Sequence, residues 1–565
     1  MTRGYTEPML DVIARSQRGR VCEYKRSDRS IVTPYVIKVD GESNDPFHIS
    51  LDDGKRVLHV MDTSVPLDEG LLTSESSDIY AEPVLMDGVC VIRLPFKGEI
   101  PEGTEVLVVS NGYELRDDAR KLVSTIIELR EKAGFGVLIC VLGVADASNL
   151  ALLSYMGIDV FDDSVARSFG INDILSTPEG DIVCDSDMTE RNISIINEES
   201  DKTRSFIEGG RLRELVDQRE FSSPTSVAVL RLFDDEGYAY QEEECSTVGC
   251  RFACNTVQAL RRPEVLRYRR MIMERYHKPA HKRVLLLLPC SAKKPYHISK
   301  THKRFASAIH TSTHDTVVHE VIITSPLGIV PRELDIFFPA NSYDIPVTGE
   351  WKPEEKQFIR EMLSHLLEQG YDKVISHLGE DTELIRGLCE LEETVVGDPT
   401  SPASLTKLDE TLRSVTKGMK FGNYGDDRKE TIRSALGFQF GTDVADAIVD
   451  DDTTGMGKFP YWKIMRDKTQ LGMMTAERGM FSLTLDGAQI LADMGKNVVE
   501  MMDFELKGNL FAIGVTKADP SIRIGDEAII MLNGKVKAVG VAMMSGREMM
   551  ELNRGIAVRV RHKSK

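Results

Sequence analysis

The feature that most constrains this chain is a series of short, mainly apolar runs separated by stretches of helical period. Runs of strand length lie at residues 36–39, 89–94, 106–109, 137–142 and 158–161. Between them, residues 117–132 place Leu122, Val123, Ile126, Ile127 and Leu129 on one helical face, and residues 147–156 form a second short helix. A strand that is apolar on both faces must be covered on both faces, as strands in a parallel sheet are. The alternation therefore predicts βα units and a parallel sheet or barrel across residues 1–280.

A second unit of the same class is expected at 281–425. HKRVLLLLPC is a buried strand running into a loop, VVHEVIITSPLGIVP and DKVISHLG are two more, and a helix over 353–369 lies between the last two. In such open sheets ligands bind beyond the carboxyl ends of the strands. The polar stretch FGNYGDDRKE marks a boundary, residues 426–496 read as a small α+β module, and 497–565 alternate short strands with turns as a compact β-barrel does. The fold class is thus α/β and multidomain, which suits 565 residues at roughly 150 per domain. The longest apolar runs, 284–288 and 137–144, fall short of the roughly 18 residues a membrane span needs. MTRGYTEPML carries no apolar signal region, and nine scattered cysteines read as reduced thiols, so a cytoplasmic location without a membrane partner is expected.

The net charge of −19 alone argues against nucleic acid, but its distribution does not. Residues 261–310 hold fourteen Lys and Arg against Glu264 and Glu274, a local charge of +12, and the chain ends in a basic tip of Arg559, Arg561, Lys563 and Lys565. A phosphate backbone gripped at one place on an acidic body explains that asymmetry, with Arg267, Arg270, Arg559 and Arg561 as RNA-binding candidates. A solvated helix face would account for any one of these charges.

The densest chemistry is PCSAKKPYHISKTH, which crowds Cys290, Ser291, Lys294, Tyr296, Ser299 and His302 onto a strand-to-loop turn. A thiol flanked by lysines sits where its pKa tends to fall, and the thiolate is the nucleophile; the plainer alternative is a buried cysteine beside phosphate-binding lysines. Arg332, Glu333, Tyr343 and Asp344 follow in nearby loops as candidates for an amino-acid or nucleobase pocket, or for a simple surface pair. Cys245, Cys250, Cys254 and His277 offer a donor set for a structural zinc, though without tight C-x2-C spacing. Asp146, Asp159 and Asp162 stand at strand ends, where barrel sites lie, and where aspartates also cap helices.

Taken together, PCSAKKPYHISKTH, RRPEVLRYRRMIMERY before it, and HEVIITSPLGIVPREL and YDIPVTGEW after it resemble the archaeosine synthases of archaea. That family is similar to archaeal tRNA-guanine transglycosylases, and the resemblance spans essentially the whole chain. It implies a TIM-barrel-like, transglycosylase-type N-terminal domain, carried by RSIVTPYVIKV, GVADASNLALLSYMGIDVFD and GGRLRELVDQR. It also implies a C-terminal PUA domain, an RNA-binding module, carried by GNLFAIGVTKADPSIRIGDEAII and GIAVRVR. The implied activity attaches an amine, with lysine as co-substrate, to the nitrile of 7-cyano-7-deazaguanine in the D-arm of tRNA. A radical-SAM lyase partner is implied too, and a homo-oligomer is possible. By motif, Cys290, Ser291, Lys294, Tyr296, Ser299 and His302 are the catalytic positions. Met86-Asp87-Gly88 stands near where a transglycosylase shows Asp-Ser-Gly, and its missing serine argues against base exchange.

Overall fold

The apolar runs of the N-terminal half become strands of one curled sheet. The computed structural model describes residues 9–41, 44–52, 55–67, 83–311, 315–419 and 422–564. They form two compact units: residues 1–245 with 510–515 and 544–557, and residues 246–509 with 516–543 and 558–565.

In the first unit the sheet comprises β1 (Tyr35–Val39), β2 (Phe47–Asp52), β3 (Lys55–Val60), β4 (Thr63–Pro66), β5 (Val84–Met86), β6 (Val89–Ile92), β7 (Val106–Val109), β8 (Leu138–Val141) and β9 (Val160–Asp162). Their order is β4-β3-β2-β1-β9-β8-β7-β6-β5. The run from β2 to β6 is parallel, while β3, β4 and β5 attach antiparallel. Alternate residues from distant strands meet in one cluster: Ile37, Phe47, Leu58, Val65, Val89, Val108, Cys140 and Val160 are all in contact as a buried core. A sheet whose two ends share an interior core is curled into a barrel, and its interior is filled with side chains, as small barrels are. The opposite set, Leu107, Val109, Ile139, Val141 and Phe161, packs on helices α1 (Ala119–Ala133) and α2 (Leu150–Met156).

Helix α1 follows from its sequence. Asp118 caps it by accepting the Lys121 amide (2.9 Å), Leu122, Val123, Ile126 and Leu129 form its buried stripe, and Gly134 at φ +69° ends it. Among the described residues, a regular barrel of eight βα units is not completed. Hairpins replace some units because strands 47–52 and 55–60 are joined by too few residues for a crossover helix.

In the second unit, helix α3 (Pro263–Glu274) packs into the core around a five-stranded sheet. That sheet contains β10 (Val284–Pro289), β11 (Val318–Thr324), β12 (Gly328–Pro331), β14 (Lys373–Ser376) and β15 (Glu392–Glu393), in the order β12-β11-β10-β14-β15. All its neighbours pair in parallel except β12, which returns antiparallel on β11. A two-residue strand, β13 (Tyr343–Asp344), pairs with Phe252 and Ala253 instead. Helices α4 (Lys300–Thr311) and α5 (Pro353–Glu368) supply the cover. Val284 through Leu288 are all buried, as a central parallel strand requires. Beyond this domain lie an α+β module, with helix Tyr424–Phe440 and four antiparallel strands over 453–483, and the C-terminal strands Glu527–Leu532, Lys535–Ala542 and Ile556–Lys563.

Candidate functional site

The carboxyl ends of β10 and β11 carry the reactive set. Cys290 leaves β10 directly, and the loop that follows turns through Tyr296 before Ser299 opens α4. Ser299 accepts the His302 amide (3.1 Å), so its hydroxyl works as a helix cap. That cap sets His302 in the first turn of α4, on the buried side with Phe305 and Ile309. The imidazole lies 5.1 Å from the Tyr296 ring and 5.4 Å from that of Phe305.

Tyr296 is fully buried, and its hydroxyl meets Thr324 (3.2 Å) and the hydroxyl of Tyr343. Thr324 and Tyr343 also share a hydrogen bond, so three hydroxyls close a triangle under the site. The Lys294 ammonium lies 4.2 Å from the centre of the Tyr343 ring. Burial pushes the Cys290 thiol up, against the pull of Lys294 and a hydrogen bond with Thr324. Burial also lowers Lys294, with Cys290 and Asp344 opposing. Burial therefore works against the charged form of both groups, and the thiol is raised, which differs from the lowered thiol the sequence suggested. A buried site disfavours charge, and one lysine does not outweigh that cost.

His302 is held neutral. Burial and then the Arg332 guanidinium bring it down to about 2. Arg332 donates to its Nδ1 (2.8 Å), which places the imidazole proton on Nε2. Arg332 is itself fixed by Glu320 (2.8 and 3.0 Å) and Asp335 (3.3 Å). His302 is thus a hydrogen-bonding group and not an imidazolium acid at neutral pH.

The other expected residues divide. Tyr343 belongs to the hydroxyl triangle, and Asp344 stands close enough to act on Lys294 while pairing with Arg251. Ser291 turns toward its own loop, donating to the Lys293 carbonyl (3.1 Å). Glu333 is buried with Tyr276 and His319, where it ties strand to helix. Sequence reasoning missed Thr324, Glu320, Asp335 and Asp381, whose charge also reaches Cys290. Thr324 ends β11, Glu320 lies within it, and Asp335 and Asp381 stand in adjoining turns, so position was their only signal.

Among the described residues, no group of three or more His, Cys, Asp or Glu is arranged to hold a metal ion. Cys245, Cys250, Cys254 and His277 are not gathered into a tetrahedral zinc set: Cys245 and Cys254 are buried, while Cys250 is exposed. In the barrel, Asp159 is consumed by Arg20 and Arg130, Asp146 by Arg116 and Ser148, and Asp162 by the amides of Gly143 and Ser164. Met86-Asp87-Gly88 is the tight turn between β5 and β6, with φ +46° at Asp87 and +80° at Gly88.

The basic cluster is partly structural. Arg262 pairs with Glu264, Lys282 with Asp427 and Arg283 with Asp372, while Arg269 donates to the Pro326 carbonyl over the ring of Phe358. Arg267 donates to the Ser246 carbonyl. Arg561 is bound to the fully buried Glu527 and to the Leu483 carbonyl. Arg270 and Arg559 are exposed, and Lys565 lies outside the described residues.

A half-buried thiol beside a lysine at the strand ends of an open α/β sheet suits a group-transfer enzyme, and the exposed basic residues of the C-terminal strands suit an RNA-binding end. Residues 430–496 match the patch-forming domain C2 of tRNA-guanine transglycosylase, 499–563 a PUA domain, and 265–412 a domain of unknown function, DUF5591. Archaeosine synthase subunit alpha of Methanosarcina acetivorans is 35% identical over 512 residues, which cover 83% of this chain and 81% of the relative. Archaeosine synthase of Haloferax volcanii is 30% identical over 593 residues, covering 98% and 99%. A tRNA-guanine(15) transglycosylase of Methanobrevibacter smithii is 24% identical over 391 residues, covering 66% and 54%. The chain belongs to the archaeosine synthase family, and it is a tRNA-modifying transferase.

Proposed function

We propose that this enzyme adds lysine to the nitrile of 7-cyano-7-deazaguanine in the D-arm of tRNA, forming an amidine through Cys290. The observation that carries the reading is the Cys290–Lys294 pair, half-buried at the carboxyl end of β10 against the hydroxyls of Thr324, Tyr296 and Tyr343. A nitrile is a weak electrophile, so attack on its carbon needs a proton for the nitrogen at the same time. Lys294 takes the thiol proton as the sulfur bonds to carbon. It then passes that proton to the nitrogen as the triple bond becomes a double bond. The product is a neutral thioimidate. The lysine amine adds to the same carbon and loses a proton, the carbon–sulfur bond breaks, and the thiol is regenerated. Neither step leaves a thiolate or a nitrogen anion behind, which suits a site where burial disfavours the thiolate. The tyrosine hydroxyls, pushed up by burial, stay protonated throughout and donate hydrogen bonds. A radical-SAM lyase is the expected consumer of the adduct.

The test is mass spectrometry of nucleosides from nitrile-bearing tRNA incubated with the protein and isotope-labelled lysine. A labelled adduct is expected, together with a trapped enzyme-linked nucleoside that disappears in Cys290→Ala. Mass gain from glutamine or ammonia instead would change the donor. Release of guanine from unmodified tRNA would favour base exchange instead.

A further inference from the structure

Beside the thiol site, and within the same unit, a cavity of about 540 Å³ opens between the loop after β13 and the turn after β14. That volume falls in the range of small-molecule sites, roughly 300–1,000 Å³. Its walls carry both signs of charge: Glu380, Asp381 and Glu383 on the turn after β14, and Lys356 and Arg360 on α5. Trp351 forms one side and is pinned by its indole N–H to Asp381 (2.7 Å). Arg360 holds the far edge of the turn by donating to the carbonyls of Leu384 (2.8 Å) and Arg386 (3.2 Å). Asp381 belongs to both places, since it lines the cavity and its charge acts on Cys290.

We propose that this cavity is the site of the free amino-acid donor, and that it selects an α-amino acid with a basic side chain. The inference rests on the proposed amine transfer. A zwitterion needs a cation for its carboxylate and an acid for its ammonium, and α5 and the turn present these from opposite walls. Glu350 and Glu383 are paired with Lys352 and Arg386, which leaves Glu380 and Asp381 to face an α-ammonium and a second, side-chain cation, a pattern that suits a basic amino acid better than neutral glutamine. Asp381 lines the cavity and acts on Cys290, so an amino acid held there is bound ahead of the transfer step, which converts a three-component encounter into an ordered one.

The experiment uses the full chain, equilibrium dialysis with labelled lysine, and steady-state rates with nitrile-bearing tRNA. Lys356→Met and Glu380→Gln change exposed side chains. Each is expected to weaken lysine binding about tenfold or more, the worth of one charge-assisted hydrogen bond. The apparent KM for lysine should rise in parallel, while the KM for tRNA stays at the wild-type value. Wild-type binding of lysine by both variants would overturn the assignment even where adduct forms. Saturable lysine binding that both variants lose, with no adduct on the tRNA, would keep the cavity as a basic amino-acid site and refute the transfer reading. No lysine binding by the wild type, with or without tRNA, would overturn the cavity assignment.

Discussion

The neutral state of His302 has a measurable consequence for stability. The residue is 1% exposed and its folded pKa is brought down to about 2, against an ordinary value near 6.5. Below pH 6.5 the unfolded chain takes up a proton that the folded chain refuses, so stability is lost as pH falls. Between pH 7 and pH 5 that single group costs about 1.9 kcal/mol, from 1.36 kcal/mol per unit of pKa difference and the partial titration at each end. His302→Gln keeps a hydrogen-bonding group against Arg332 and cannot titrate, so its stability should fall by about 1.9 kcal/mol less over the same interval. Urea unfolding followed by tryptophan fluorescence reads the right part of the molecule, because the chain's two tryptophans, Trp351 and Trp462, both lie in the second unit. Comparing wild type with variant at both pH values removes contributions from other histidines such as the buried His377. If the two proteins lose the same stability on acidification, within about 0.5 kcal/mol, His302 is not held neutral and the argument from Arg332 and burial fails.

Three further outcomes follow from named contacts. Cys290→Ala should reduce adduct formation on the order of a thousandfold or more, as loss of a covalent nucleophile does, with tRNA affinity unchanged in a filter-binding assay. Asp159 is 1% exposed between Arg20 and Arg130, which outweigh burial and hold its carboxyl below the usual range. Asp159→Asn should therefore destabilise the barrel by about 3–5 kcal/mol, read as faster hydrogen exchange in β8 and β9. The two C-terminal arginines should separate. Arg559→Gln should weaken tRNA binding and lower the salt slope by about 1. Arg561→Met should leave that slope unchanged and cost about 2–3 kcal/mol in urea unfolding, reduced from the full penalty because Arg478 still faces Glu527.

Sequence alone determined the pieces whose cause is local. The run of five apolar residues before Cys290, bounded by Pro289 and a polar loop, reads as a strand covered on both faces, and the Asp118 to Gly134 stretch carries its own cap, stripe and stop. The concentration of thiol, amine and hydroxyl groups in PCSAKKPYHISKTH marks the loop as the candidate site from sequence alone. Tertiary structure decided what each of those groups is for. Burial depth set protonation, so a lysine-flanked thiol stays high and a histidine in a basic stretch stays neutral, because the cost of desolvation depends on atoms supplied from distant segments. Partner choice decided the rest. Arg561 and Arg559 stand two residues apart in one strand, yet one is committed to Glu527 and the other faces water. Ser299 became a cap and Glu333 a core tie because of where α4 and the helix before β10 pack. A side chain's type travels with the chain, but its charge state and partners depend on packing, and packing joins residues that the sequence keeps far apart.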